Sequence, residues 1–292
     1  MTDQDQPNLP GMKRFEARLT DRDFNRFSRL VYEHCGIKLP SHKRSMLEAR
    51  LRKRLRALSL HTFEEYAEMI FSRDGVTDEL IRLIDVVTTN KTDFFREPAH
   101  FDYLTNQALP GLVSTFGSGI QQPLKVWSAG CSTGEEPYTL AIVLSEFQKK
   151  LPEFRFEILG TDISTDVLDR AVLGIYAEAK IEPIPIALKK RYLLKAKDPE
   201  QRKVRIVPQL RALTRFMRLN FMDDDFGFRE PFDLIFCRNV IIYFDRPTQE
   251  RLLAKLTDCL TPGRFLFLGH SETLLGLKLP LKQMAPSVYK RL

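Results

Sequence analysis

Two stretches of the chain hold side chains whose types and spacing could do chemistry. A strand-like run at 124–129 (LKVWSA) passes through GCSTGEEP into a helical stretch, PYTLAIVLSEFQKK at 137–150. A glycine-containing turn between a strand and a helix is where a nucleotide-like ligand meets strand ends. However, Gly130-x-x-x-Gly134 lacks both the G-x-G-x-x-G dinucleotide fingerprint and the lysine of a phosphate-binding loop, which argues against NAD and ATP. At the end of the next strand-like run, FEILGTD at 156–162, Asp162 stands where a carboxylate can accept hydrogen bonds from ribose hydroxyls. Its other reading is the N-cap of the helix that follows. Taken with Glu135 and Glu136 it favours a ligand, because an acidic surround repels phosphate and suits a molecule with net positive charge and a ribose.

The elements that must position these groups follow from periodicity. Strand-like runs LKVWSA, FEILGTD, FDLIFCR (232–238) and RFLFLGH (264–270) are separated by helical stretches such as TQERLLAKLTDCL (248–260). That alternation predicts an α/β fold with a parallel, doubly wound sheet, which binds ligands at the carboxyl ends of its strands. Residues 13–90 instead read as helices without strands, since apolar residues recur three and four apart. Thr20 with Asp23, and Thr62 with Glu65, are spaced as helix starts. The expected organisation is a helical domain at 1–95, a linker and domain rim at 96–123, and an α/β domain at 124–292. Pro-rich, then basic, sequence interrupts the alternation and predicts an inserted subdomain at about 176–219.

With 292 residues, 43% of them hydrophobic, the chain can bury a real core, which excludes disorder and disulfide miniproteins. No apolar run approaches the roughly 18 residues of a membrane helix, and the polar start lacks a signal-peptide core, so a cytoplasmic protein is expected. Four scattered cysteines form no C-x-x-C and are expected as buried thiols, with no structural metal. The net charge of +7 is local: residues 41–58 hold seven Lys/Arg against one acid, and 189–218 hold eleven against two, leaving the rest net acidic. The end at Leu292, soon after the last strand-like run, predicts no appended domain, and monomer is the default.

The strings TTNKTDFFREPAHF (88–101), WSAGCSTGEEPYTLA (127–141), GTDIS (160–164), LNF (219–221) and CRNVIIYFD (237–245) closely resemble the chemotaxis receptor methyltransferases. These enzymes use S-adenosylmethionine to methylate glutamate side chains of chemoreceptors, and the resemblance covers nearly the whole chain with its motifs in family order. It implies a Rossmann-like class I methyltransferase domain, an N-terminal all-α domain and a small inserted β subdomain. It also implies that Asn90, Thr92 and Arg96 approach the methyl donor, that Glu135 meets its methionine portion and Asp162 its ribose, and that Asn220 and Phe221 meet the adenine. Cys237 and Arg238 would line the pocket floor with Asn239 close by, and Arg96 and Tyr243 would face the reacting carboxylate. The residue types alone also allow Arg96 to pair with Glu97, and Tyr243 to be core.

The chemistry agrees with such an acceptor. A glutamate of pKa about 4.3 is ionised roughly 500 to 1 at pH 7, so it needs no base; a lysine acceptor, neutral about once in 2,500, would. The task is positioning: a carboxylate oxygen roughly 3 Å from the sulfonium methyl, in line with the departing sulfur. Arg96 hydrogen-bonded to one oxygen, with Tyr243 aiming the other, would orient without blunting the nucleophile.

For the basic helix, Leu47, Leu51, Leu55 and Leu58 form one apolar stripe, and Arg50, Arg52, Lys53, Arg54 and Arg56 spread over the remainder. Arg50, Lys53, Arg54 and Arg56 are expected to dock a glutamate-rich helical bundle of the receptor. The family's inserted subdomain can also grip a receptor's C-terminal tethering peptide, which would recruit the enzyme to membrane receptor arrays. A nucleic-acid methyltransferase is the main alternative, but an N/D-P-P-Y/F tetrapeptide is missing and aromatics do not interleave with the basic runs. A donor-binding sensor without catalysis would need neither Arg96 nor Tyr243.

Overall fold

A computed structural model describes residues 18–72 and 76–292 of the chain. The N-terminal part contains only helices among its described residues: α1 (Asp21–Cys35), α2 (Arg44–Ala57), α3 (Phe63–Phe71) and α4 (Val76–Val87). Both expected starts are caps. Thr20 accepts the Asp23 N–H, and Thr62 with Glu65 closes a reciprocal capping box. Phe24, Phe27, Leu30 and Val31 of α1 pack with Leu47, Leu51 and Leu55 of α2 and with Leu83, Ile84 and Val87 of α4 in one core.

The second domain follows with α5 (Ala99–Tyr103), a π-helical turn (Leu104–Ala108), α6 (Leu109–Phe116), β1 (Leu124–Ala129), α7 (Glu135–Gln148), β2 (Phe156–Asp162) and α8 (Thr165–Leu173). The insertion comprises β3 (Ile175–Ala177), α9 (Ile186–Tyr192), β4 (Leu193–Lys195) and β5 (Lys203–Ile206). Next come α10 (Pro208–Ala212), β6 (Thr214–Arg218), β7 (Phe232–Cys237), α11 (Arg246–Asp258), β8 (Leu260–Leu268), β9 (Leu281–Ala285) and β10 (Val288–Arg291).

The main sheet has seven strands in the order β6-β2-β1-β7-β8-β10-β9. All pairs are parallel except those made by β10, which runs antiparallel to both β8 and β9. From β1 the chain runs outward to β2 and β6, then returns to β7 on the other side of β1. The order therefore reverses between β1 and β7, which opens a crevice at their carboxyl ends. Alternation splits the side chains between two layers: Leu124, Val126, Leu234 and Phe236 face one core, Trp127, Ala129, Ile235 and Cys237 the other.

Two expectations change. The small antiparallel sheet β3-β5-β4 covers 175–206, but Thr214–Arg218 at the end of the expected insertion pair with β2 in the main sheet. A basic edge strand with one solvent face gives no apolar run to read. Residues 99–116, expected as linker and rim, are helical, and Phe101, Leu104, Leu109 and Leu112 are buried in the α/β core. Pro110 sits at a first-turn position of α6, where its missing N–H costs nothing, and Gly117 closes the helix in the left-handed region. Among the described residues no helix is long and apolar enough to cross a membrane.

The two domains share bonded contacts. Asp85 of α4 accepts both the N–H and the hydroxyl of Thr165, at 2.9 and 3.0 Å, supplying the side-chain cap that Ser164 does not give α8. Gly36, in the left-handed region at φ 70°, ends α1; a Cβ there would meet the Met222 sulfur at 2.7 Å.

Candidate active site between the two domains

A cavity of about 300 Å³ lies at the β1/β7 crevice, within the range of small-molecule sites. The N-terminal domain contributes Cys35, Ile37, Lys38, Leu39, Lys43 and Met46 to its wall, and residues 87–93 with Arg96 cross between the domains. Strand ends supply the rest: Gly130 and Ser132 after β1, Asp162 at the end of β2, and Arg238, Asn239 and Val240 after β7. Gly130 is required here, since a Cβ at this residue of φ 81° would come within 2.5 Å of Val240.

Of the residues expected to hold a donor or acceptor, Asn90, Thr92, Arg96, Asp162, Asn220, Phe221, Arg238, Asn239 and Tyr243 line this cavity. Glu135 and Cys237 do not. The final residue of β7, Cys237, is wholly buried in the core formed with Trp127, Ile235 and Leu266, because neighbouring strand residues point to opposite faces. Glu135 turns away to accept the Thr133 hydroxyl at 2.6 Å, with Lys180 of the insertion 3.9 Å off. It is Glu136 that lines the cavity, accepting the Ser128 hydroxyl at 2.7 Å and facing Arg238 at 3.5 Å.

Asp162 is 8% exposed, and its two oxygens accept the N–H groups of Ser132 (2.9 Å) and Ser164 (3.0 Å). Burial raises its pKa and those two bonds oppose the shift. Glu136 is likewise raised by burial and pulled back by Arg238. The Asn220 amide donates to the His34 carbonyl at 2.6 Å, which ties the cavity's edge to the end of α1. Burial pushes the Cys35 thiol up to about 11 and raises those of Cys131 and Cys237, so no thiolate stands ready as nucleophile among the described residues.

Arg96 sits between two left-handed residues, Phe95 (φ 53°) and Glu97 (φ 57°), and Ser132 (φ 50°) and Asn239 (φ 59°) add two more beside the cavity. Each costs about 1–2 kcal/mol relative to the right-handed region. Surrounding bonds hold them: the Arg238 guanidinium donates to the Arg96 carbonyl, and Glu97 pairs with Arg238 at 3.3 Å rather than with Arg96. The Arg96 guanidinium donates to the Lys91 carbonyl at 3.3 Å and joins no ion pair among the described residues. The cavity thus contains one guanidinium that joins no ion pair among the described residues, although its charge is felt by Glu136.

Sequence reasoning missed Lys38 and Lys43, which only the domain arrangement brings to the wall, and Glu272, whose carboxylate accepts the N–H groups of Gly269, Asn239, Val240 and Ile241.

Family models decide the identity: one described as "CheR methyltransferase, SAM binding domain" matches residues 90–289, and "CheR methyltransferase, all-alpha domain" matches 22–88. The chain belongs to the CheR methyltransferase family. It is 40% identical to a chemotaxis protein methyltransferase of Borreliella burgdorferi over 274 residues, 94% of this chain and 95% of the relative. Chemotaxis protein methyltransferases of Klebsiella aerogenes (41%, covering 87% and 84%) and Pseudomonas aeruginosa (protein 2; 38%, covering 94% and 94%) are similar throughout. The S-adenosylmethionine-binding domain of this CheR methyltransferase therefore contains the sheet whose strand order reverses at the cavity, and the all-α domain forms the opposite wall.

The docking residues divide unevenly. Arg50 points inward and donates to the carbonyls of Val87 and Thr88, where α4 ends. Arg54 makes a two-pronged pair with Glu79 at 2.9 and 2.7 Å. Both side chains are thus engaged within the helical domain. Lys53 and Arg56 are exposed.

Proposed function

We propose that this methyltransferase esterifies glutamate side chains of chemoreceptors, with the donor in the cavity and the acceptor carboxylate entering beside Arg96. The observation that carries this reading is the Arg96 guanidinium, unpaired among the described residues and facing a site whose other walls hold Asp162 and Glu136. Acidic walls suit a cationic donor, and a lone guanidinium suits an anionic acceptor. S-adenosylmethionine, when bound, supplies an electrophilic methyl group on a sulfonium.

The chain's own residues do the rest. Asn90, Thr92, Asp162, Asn220, Phe221, Arg238 and Asn239 hold the donor, with Glu135 supporting its methionine end through Thr133. Arg96 orients the acceptor by one charge-assisted hydrogen bond and Tyr243, whose hydroxyl has no hydrogen-bond partner among the described residues, aims its second oxygen. No general base is required, because the acceptor arrives ionised.

Lys53 and Arg56, with Lys38 and Lys43 at the cavity wall, form the cationic approach for an acidic helical substrate. A monomer docked in this way on receptor arrays, with the small sheet β3-β5-β4 available for a tethering peptide, is consistent with the exposed edge strands of that sheet.

The test is to incubate the purified protein with methyl-labelled S-adenosylmethionine and receptor cytoplasmic fragments, and then treat the labelled product with alkali. Release of the label as methanol is expected, because esters hydrolyse. Label that stays on the protein means N-methylation and overturns the reading.

A further inference from the structure

Behind the cavity wall, three potential metal ligands meet that the methyl-transfer reading leaves unused: Glu97, His100 and His270 offer donor atoms that all lie within 4.8 Å of one another. We infer that these residues form a binding site for a divalent first-row transition ion of the zinc type, linked to Arg238.

Satisfaction of buried polar atoms carries the argument. His100 is 1% exposed, yet neither ring nitrogen makes a hydrogen bond of good geometry, the Pro286 carbonyl acting on the ring only weakly; Glu97 Oε2 is buried beside it with the Arg238 guanidinium, 3.3 Å away, as its charged partner. Such poorly satisfied ring nitrogens are rare in folded proteins, because each forgoes the hydrogen bonds it made in water. The two side chains face one another: His100 Nδ1 is 3.5 Å from Glu97 Oε2, beyond good hydrogen-bond distance. The rings of His100 and His270 lie 5.0 Å apart at 78°, an edge arrangement in which nitrogens of both can converge. The His270 side chain is exposed, which gives an ion access from solvent and gives one ligand freedom to turn inward.

The donor chemistry selects the ion. Two imidazoles and one carboxylate match three-ligand zinc sites, with bonds of about 2.0–2.2 Å, whereas magnesium and calcium take oxygen ligands. Ligand atoms around such an ion stand closer together than 4.8 Å, so the side chains close slightly around it. The competitor is Arg238, whose guanidinium pairs with the same Glu97 oxygen at 3.3 Å. An ion and that guanidinium cannot both take the carboxylate at full strength, so this site is weaker than a closed structural zinc site. Binding the ion releases Arg238 from one of its two acidic partners, leaving Glu136.

Arg238 lines the cavity, so metal and donor should oppose each other. This second part rests on the assignment of Arg238 to the donor site. Linkage then makes the opposition reciprocal.

The experiment uses the full chain stripped of metal. Cobalt(II) is followed by its visible absorption and zinc by calorimetry, for the wild type, for His270→Ala, and for His61→Ala as a surface-histidine control. One ion per chain is expected, with affinity reduced at least about tenfold in His270→Ala, the scale on which even supporting residues of metal sites act. The His61→Ala variant should match the wild type, and magnesium should produce no heat of binding. Absence of saturable zinc binding, or equal affinity in wild type and His270→Ala, overturns the site. Donor affinity is then measured with and without zinc. A zinc-dependent loss confined to proteins that retain His270 supports the linkage. Zinc binding with unchanged donor affinity overturns the linkage to Arg238 separately from the site.

Discussion

The Glu272 carboxylate accepts the backbone N–H of Asn239 at 2.8 Å and so fixes a cavity residue in the left-handed region, at φ 59°. It also accepts the N–H groups of Val240 and Ile241 at 2.8 Å and of Gly269 at 2.6 Å. One buried side chain thereby satisfies four donors where β7 gives way to the cavity loop. Hydrogen bonds to charged groups contribute about 1.5–3 kcal/mol each and are not additive, so Glu272→Ala is expected to cost about 3–5 kcal/mol. Denaturant unfolding measures it; a loss below about 1 kcal/mol would show that the loop holds its shape unaided.

Removing the Arg96 guanidinium should separate chemistry from binding. In Arg96→Ala, turnover is expected to fall at least about a hundredfold, the scale of a misplaced reactant. Donor affinity, measured by calorimetry, should change far less, because other residues make most of that contact. Undiminished turnover removes Arg96 from the mechanism.

The basic face of α2 yields a contrast between two arginines. Arg54 and Glu79 have side chains only 15% and 11% exposed, and Tyr66 donates to the same carboxylate at 2.8 Å. Arg54→Ala should therefore lower stability by about 2–3 kcal/mol, as the loss of charged hydrogen bonds does. Arg56→Glu should leave stability within about 0.5 kcal/mol, as surface changes do. It should weaken capture of receptor fragments and flatten the salt dependence of that binding. Equal binding by wild type and Arg56→Glu at low salt would exclude this face from docking.

Acid should loosen the insertion before the main sheet. Glu146 on α7 accepts from Arg191 at 2.8 Å and from the Tyr192 hydroxyl at 2.6 Å, joining α7 to α9. Burial acts to raise its pKa, but hydrogen bonds from Lys149, Tyr192 and Arg191 prevail and hold it at about 2. The folded value lies below the ordinary 4.5, so the stabilisation is complete above about 4.5 and is lost as pH falls through about 2. The carboxylate is a third exposed, which limits the effect to about 1 kcal/mol or less. Hydrogen exchange in β3, β4 and β5 should rise across that window in the wild type and be flat in Glu146→Gln. Parallel profiles would assign the acid limb elsewhere.

The alternation of apolar strands and helices and the two N-caps pointed to the α/β fold and the all-α domain, because these are encoded locally; the donor class, and nine side chains that line the cavity, followed only from the family resemblance of the motif strings. Only the tertiary structure assigned β6 to the main sheet, since an edge strand is chosen by its partner and not by its own apolar pattern. Packing likewise turned Cys237 into the core, committed Arg50 and Arg54 to carbonyls and a carboxylate within the domain, and brought Lys38, Lys43 and Glu272 to the site from distant parts of the chain. A side chain's type is written in the sequence, but the partner that takes up its charge or hydrogen bond is fixed only when separated segments meet.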